Sequence, residues 1–414
     1  MMLKKALDKL SGFKTQLSKP VKPKTAYKIR HLGSPIENMN LARTEYQEGK
    51  TVLESLPPII TFALTTYCNN QIPCLICDRN TRPESSDTEV NRQIIDAAKP
   101  LLQTAQLIYL HCGGEAMLSR HYDEVISSIN PPTKIGFATN AMLLTKKRAD
   151  LMLERDIVAG FVISLDASTP ETYRIMRPSC DFETVTKNIS YYTEKMKTLN
   201  YSSNIALNIT ICESNLKDVP NLVNLAQKVG ASAVKFGHLN VGLTHNVKTV
   251  DGSDWDYVEQ SRFADPSMHD EIIYETYERA DKLKIKINFD GRPFIGPNAK
   301  EYELKIKPIN ERVGIPRVIF TPEVKWESQL HKKMGGELPP CFKPWQETVI
   351  QPNGDIRICY FHDETQFKIG NLVEDDFMSI WNSDVMVNER TEFLAKSVSS
   401  ICKKSQPCIH RGRQ

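Results

Sequence analysis

The chain has 414 residues, 40% of them hydrophobic and 25% charged, with a formal net charge of +3. This composition excludes low-complexity and collagen-like classes, and so small a charge excludes a nucleic-acid or membrane field spread over the whole surface. No run approaches the roughly 20 apolar residues of a membrane span, and the N-terminus lacks the apolar stretch and small-residue cleavage site of a signal peptide. The expected location is the cytoplasm, where reducing thiol pools keep cysteines unpaired, so the ten Cys point to metal binding or catalysis.

The length predicts one large domain and a smaller one. Residues 1–58 read as a basic N-terminal arm, in which nine Lys and Arg from Lys4 to Arg30 face a single early carboxylate, Asp8. A short amphipathic helix on Leu3, Leu7 and Leu10 and a Pro-containing tether make it a solvated arm or a docking element for an acidic partner or anionic surface. From residue 59, apolar runs alternate with helix-period segments. Strands are predicted over 59–64, 107–110, 135–138, 161–165, 205–211 and 234–237, and helices over 91–102, 121–129, 146–154, 182–199, 219–229 and 269–284. Six such units with short loops imply a parallel sheet with right-handed crossovers, either doubly wound or a complete or partial barrel. In both, chemistry gathers in the loops past the C-terminal strand ends. A short strand over 285–289 closes a first domain, 59–290, and a connecting region, 291–340, follows. The remainder, 341–414, has turn signals at 352–355 and at Gly370-Asn371 and one helix over 375–381. It is too small for a generous core, so a metal or cluster staple is expected.

The first strand runs into a loop bearing Cys68, Cys74 and Cys77, spaced C-x5-C-x2-C. Three thiolates on one loop suit an iron-sulfur cluster or zinc. With no fourth Cys or His nearby, the set leaves a coordination position open that a structural site would close. Past the second strand comes Cys112-Gly113-Gly114-Glu115, where glycines let the backbone approach a ligand and a carboxylate can accept from an ammonium. Thr139 and Asn140 end the third strand, and Ser164 and Asp166 the fourth. Small polar residues there can bond hydroxyls or a carboxylate at a barrel mouth, while Asp166 can equally cap the next helix. On the fifth strand Asn208 and Thr210 lie opposite Leu207 and Ile209. His238, on the sixth, reads as a substrate contact or a satisfied interior histidine.

In this order the motifs resemble those of radical S-adenosylmethionine enzymes, whose fold is an α/β partial (β/α)6 TIM-like barrel. The family's usual spacing is C-x3-C-x2-C, so this loop carries two additional residues, and Ile76 stands where the family often has an aromatic. The resemblance implies that Cys68, Cys74 and Cys77 hold a 4Fe-4S cluster completed by S-adenosylmethionine. It implies that Gly113, Gly114 and Glu115 meet the methionyl amino group. Thr139, Asn140, Ser164 and Asp166 then lie near the sugar or carboxylate, Arg177 clamps the carboxylate, and Asn208 and Gly237 face the nucleoside.

Cys341-x3-Trp345, the strand ending in Cys359, Gly370-Asn371-Leu372, Ile380-Trp381-Asn382, Arg390 and Cys402-x5-Cys408 resemble a SPASM-type C-terminal extension. Full SPASM domains carry seven Cys and two auxiliary clusters. The four here, Cys341, Cys359, Cys402 and Cys408, suffice for one auxiliary 4Fe-4S cluster, and by themselves suit zinc as well. The implied activity is reductive cleavage of S-adenosylmethionine to a 5'-deoxyadenosyl radical that abstracts hydrogen, with a flavodoxin or ferredoxin as electron donor. Oxidation follows if the auxiliary cluster takes the substrate's electron. Epimerisation follows if a thiol returns hydrogen, and Cys212, Cys112 and Cys180 are the candidate donors. The short N-terminal arm and single auxiliary site favour a small molecule such as a carbohydrate. A peptide-modifying maturase and a non-catalytic zinc- or cluster-stabilised binding protein are the alternatives.

Overall fold

The computed structural model describes residues 33–70, 72–81, 87–110, 113–201, 203–239, 246–249, 251–314, 341–359 and 368–395. Cys112, Cys402, Cys408 and the Lys-rich start of the arm therefore lie outside the described residues.

Six strands, β1 (Ile59–Phe62), β2 (Leu107–Tyr109), β3 (Lys134–Thr139), β4 (Val158–Ser164), β5 (Asn204–Ile211) and β6 (Ala233–His238), lie side by side in chain order, all parallel. A small antiparallel ribbon follows, β7 (Asn246–Lys248) with β8 (Asp254–Asp256). Then β9 (Lys286–Asp290) extends the sheet in parallel beyond β6. On the other side β10 (Glu347–Ile350) runs parallel to β1, and β11 (Asp355–Arg357) and β12 (Gly370–Asn371) continue antiparallel. The ten strands form one open sheet with β12 and β9 at its edges, the α/β partial barrel expected from the sequence.

Alternation along each strand separates two faces. Ile205, Leu207, Ile209 and Ile211 of β5 join the buried core between sheet and helices, while Ala206, Asn208 and Thr210 point to the inside of the curve. Phe137 and Phe161 stack 4.6 Å apart on the helix side, with Tyr192 edge-on to Phe161. The covering helices span Arg92–Thr104, Tyr122–Ser128, Lys146–Glu154, Phe182–Thr198, Val219–Val229 and Pro266–Leu283. Their starts carry side-chain caps where the sequence supplies them: Asn91 accepts from the amide of Ile94, and Asp181 from that of Thr184.

One further element falls where the sequence suggested an arm. A helix over Pro35–Glu48 starts on a Ser34/Glu37 capping box and buries Ala42 and Tyr46. Tyr46 packs edge-on against Trp345, ring centroids 5.3 Å apart. The segment after it is stitched to the C-terminal part of the chain. Asn382 accepts from the amide of Leu53 and donates to its carbonyl, both at 2.8 Å. Arg390 donates to the carbonyls of Thr51 and Pro344.

Candidate active site

The loop after β1 is held by its own side chains. Asn80 donates to the carbonyls of Cys74, Leu75 and Cys77, gathering the turn that precedes a short helix over Asp78–Thr81. Arg79 donates to the carbonyl of Asn70 and pairs with Asp87 at 3.0 Å. Cys74 is buried, Cys68 and Cys77 are half-buried, and all three are free thiols. Two donors aim at the Cys74 sulfur, Asn70 Nδ2 at 3.0 Å and Arg177 Nη1 at 3.5 Å. Donors around a sulfur suit a thiolate ligand, so the residues fit a cluster. Among the described residues, no three Cys, His, Asp or Glu side chains converge as they would around a single ion. A cubane makes no such demand, because its cysteines bind different irons.

The Gly-Gly-Glu segment packs on the backbone of this loop. Gly113 has φ 71°, in the left-handed region that favours glycine. A Cβ on Gly114 would stand 2.6 Å from the Thr65 carbonyl oxygen, and the Glu115 amide donates to Tyr67 O at 2.8 Å. Glu115 is buried and faces the end of β3, accepting from Thr139 Oγ1 at 2.9 Å and from the amide of Asn140 at 2.8 Å. Burial raises its pKa above the ordinary carboxylate value, against the pull of these hydrogen bonds. Asn140 in turn donates to Asn69 Oδ1 at 2.8 Å. Thr139, Asn140 and Glu115 thus form one buried cluster supporting the cysteine loop.

Asp166 adopts φ 63°, uncommon for a residue with a side chain. It does not cap the next helix, Pro170–Met176, whose cap is Thr169. Its carboxylate instead accepts from Arg177 Nε at 2.8 Å and from the amide of Thr210 at 2.7 Å. Arg177 therefore spends its fork on Asp166 and Cys74.

Ser164 pairs in register with Asn208, Asn208 with Lys235, and Lys235 with Asn288, making a polar rung on the inner face of β4, β5, β6 and β9. One step nearer the mouth, Thr210, Gly237 and Asp290 are in register. Lys235 and Asp290 form an ion pair at 2.7 Å. Both escaped the sequence reading, although the period-2 alternation of β6 places Lys235 on the face of Gly237.

The candidate hydrogen donors part company here. Cys212 is fully buried, its sulfur 3.9 Å from that of Met176 in a cluster with Leu75, Trp255 and Tyr257. Burial pushes its thiol up to about 12. Cys180 is half-buried beside the cysteine loop, donating to Asn70 Oδ1 at 2.7 Å, and burial pushes it up to about 11. His238 lies in register with Ile211, hence on the helix side of the sheet. Its Nε2 is 3.0 Å from that of buried His269, whose Nδ1 is 3.0 Å from Asp270. It is the satisfied interior histidine of the two sequence readings.

The two described cysteines of the second set, Cys341 and Cys359, are at the other end of the sheet. Cys341 comes just before the short helix Lys343–Gln346 that leads into β10. Because β11 runs antiparallel, Cys359 returns to that same N-terminal end, opposite the end where β1 enters the Cys68 loop. Burial works to lower the pKa of Lys343, and its ion pair with Glu347, followed by Cys359 and Cys341, raises it. A cleft of about 330 Å³ lined by Tyr277, Asn288, Phe289, Arg292 and Glu303 shares Asn288 with the polar rung and takes no residue from β1 to β6 or from the described cysteines.

Residues 62–226 match the radical SAM superfamily model, and residues 341–408 match the SPASM iron-sulfur cluster-binding domain. The chain therefore carries a radical SAM domain and a SPASM domain, and the cofactors of these domains are a 4Fe-4S cluster, S-adenosylmethionine and auxiliary iron-sulfur. Among solved structures it is similar to Streptococcus suis SuiB bound to precursor peptide SuiA, with 16% identity and TM-score 0.50, covering 93% of this chain and 78% of that one. SuiB bound to S-adenosylmethionine gives 15% identity and TM-score 0.50, covering 94% and 79%. BtrN in complex with AdoMet and 2-DOIA is more distant, at 12% identity and TM-score 0.39, covering 87% and 97%. At such identities the SuiB likeness shows the fold alone. No curated protein matches the chain. No helix of the described residues is long and apolar enough to cross a membrane.

Proposed function

We propose that the protein oxidises a small polar molecule, such as a carbohydrate, held inside the barrel between two iron-sulfur centres. The observation that carries this reading is the placement of the Cys68 loop at one end of the parallel strands and of Cys341 and Cys359 at the other, with a polar inner face between them. Cys68, Cys74 and Cys77 would hold a first cluster that, with S-adenosylmethionine, would supply one-electron hydrogen-abstraction chemistry, and Cys341, Cys359, Cys402 and Cys408 would hold an auxiliary cluster able to accept an electron.

The chain's own residues do the rest. Cys68, Cys74 and Cys77 hold the first cluster at the mouth. Gly113 and Gly114 bring backbone against that loop, with Glu115, Thr139 and Asn140 fixing it from behind. Ser164, Asn208, Lys235 and Asn288 offer hydroxyl, amide and ammonium donors to ligand oxygens, and Gly237 leaves room for a flat ring beside them. Cys212 continues the face of Ala206, Asn208 and Thr210 but is sealed there by Leu75, Met176, Trp255 and Tyr257, which favours oxidation over epimerisation. A flavodoxin or ferredoxin delivers the electron. A peptide is the second reading, favoured by the likeness to SuiB, solved with its precursor peptide.

Anaerobically reconstituted protein, given dithionite and S-adenosylmethionine, is expected to form 5'-deoxyadenosine and to hold about eight irons per chain. Zinc with no visible absorption and no deoxyadenosine would sink the reading. Sugar pools and peptide pools, screened for deoxyadenosine formed in step with a product two hydrogens lighter, separate the two substrate classes.

A further inference from the structure

We infer that Arg177 is a positioning residue for the cluster: its guanidinium, locked by Asp166, donates to the Cys74 sulfur and raises the reduction potential of the centre that Cys74 helps to hold. The inference rests on the reading of Cys74 as a cluster ligand, and it gives Arg177 a different task from the cofactor clamp that the family resemblance suggested.

The chain after the helix Pro170–Met176 lies along the cysteine loop. The amide of Leu75 donates to Met176 O at 3.3 Å, and Ser179 Oγ accepts from the amide of Ile72 at 2.9 Å and donates to its carbonyl at 3.2 Å. Cys180 donates to Asn70, and Asn70 donates to Cys74. Arg177 sits at the centre of this contact, buried, with Nη1 3.5 Å from the Cys74 sulfur. Its other two nitrogens grip Asp166, Nε at 2.8 Å and Nη2 at 2.5 Å.

Asp166 is itself fixed from several sides. Thr210 donates to its side chain, Asn215 Nδ2 donates to its carbonyl at 2.8 Å, and its backbone holds φ 63°. A strained residue persists where its surroundings over-determine it, and such residues gather at functional sites. Here the strain aims a carboxylate at Arg177, and the pair leaves one N–H edge of the fork facing sulfur.

Cys74 and Cys68 are served unequally. Cys74 receives donors at 3.0 and 3.5 Å, whereas Asn140 Nδ2 reaches Cys68 only at 3.8 Å. An electron added to an iron-sulfur cluster spreads onto its thiolate ligands. A hydrogen-bond donor buried against one of them stabilises the reduced form and raises the potential, and because Asp166 offsets the charge of Arg177 it is the N–H edge that acts on Cys74. That is the direction needed by a centre that must be reduced before it can cleave its cofactor.

The test is an EPR-monitored redox titration of the full-length reconstituted protein, following the signal that changes when S-adenosylmethionine is added. Arg177→Lys keeps the charge but loses the fork. The double variant Asp166→Asn, Arg177→Met keeps the net charge of the site and avoids leaving a buried carboxylate alone. With iron and sulfide per chain unchanged, both are expected to titrate at a more negative midpoint than wild type, and dithionite is expected to reduce a smaller fraction of the centre. A wild-type midpoint in both variants at full iron content overturns the role of Arg177 and leaves the cluster reading standing. Absence of any S-adenosylmethionine-responsive signal from the wild-type protein overturns both.

Discussion

Gly114 lies so close to the cysteine loop that a Cβ on it would meet the carbonyl oxygen of Tyr67 at 2.5 Å. Backbone cannot yield as a flexible side chain can, so a methyl group there must move the loop or the turn after β2. Gly114→Ala is expected to cost about 2 kcal/mol, in the range of overpacked interiors. Iron bound per chain should fall with it. Gly237→Ala is the contrast, because its Cβ would meet Asp290 at an ordinary 3.7 Å. It should keep both melting temperature and iron content. Equal behaviour of the two variants would contradict this account.

The apolar cluster around Cys212 closes it off, so its side chain is expected to act in packing. Cys212→Ala removes a sulfur from a closed apolar cluster and should cost about 1 kcal/mol in denaturant unfolding. In deuterated buffer, wild type and variant should give the same product with no solvent deuterium at carbon. Deuterium in the wild-type product that is lost in the variant would restore Cys212 as a hydrogen donor.

His238 gives the protein a weakness in mild acid. Burial, reinforced by the neighbouring His269, lowers its pKa from 6.5 to about 4. Between those values the unfolded chain binds a proton that the folded chain refuses, so stability falls as pH drops from 6.5 toward 4. His269 is shifted in the same direction, again by burial first, so it adds to the slope. Melting temperatures measured at pH 7 and pH 5 should drop less in His238→Gln than in wild type. Parallel drops would show that the pair does not govern the acid limb.

Asn382 joins the two ends of the described chain. Asn382→Ala leaves the buried amide and carbonyl of Leu53 without their partners, at a cost of about 3 kcal/mol for two unsatisfied polar groups. Chemical denaturation should show that loss with the transition still cooperative. A change within about 0.5 kcal/mol, the ordinary surface effect, would mean the clamp contributes nothing.

Sequence periodicity carried most of the barrel. The strands β1 to β6 and the helices over Lys146–Glu154 and Val219–Val229 were legible because apolar residues recur at the spacing of their element. The helix over Pro35–Glu48 was not, since its buried face includes Asn38 and Glu45. Those side chains serve the loop behind it: Asn38 exchanges hydrogen bonds with Leu56, and Glu45 accepts from the amides of Glu54 and Ser55. A polar residue buried for its hydrogen bonds looks exposed to any reading by hydropathy. In the site, residue types told which atoms were available but not where they were already spent. Arg177 read as a clamp for a carboxylate, and only the fold reveals that Asp166 is the carboxylate it holds.

The pairing of β10 with β1 reaches beyond architecture. The strand that leads into the cysteine loop has neighbours made early on one side and very late on the other. Until the chain past Ile350 has been synthesised, one edge of β1 is an open row of amides and carbonyls, a surface prone to wrong pairing. The strand that presents Cys68, Cys74 and Cys77 is therefore covered on both edges only once residues 347–350 have docked beside it.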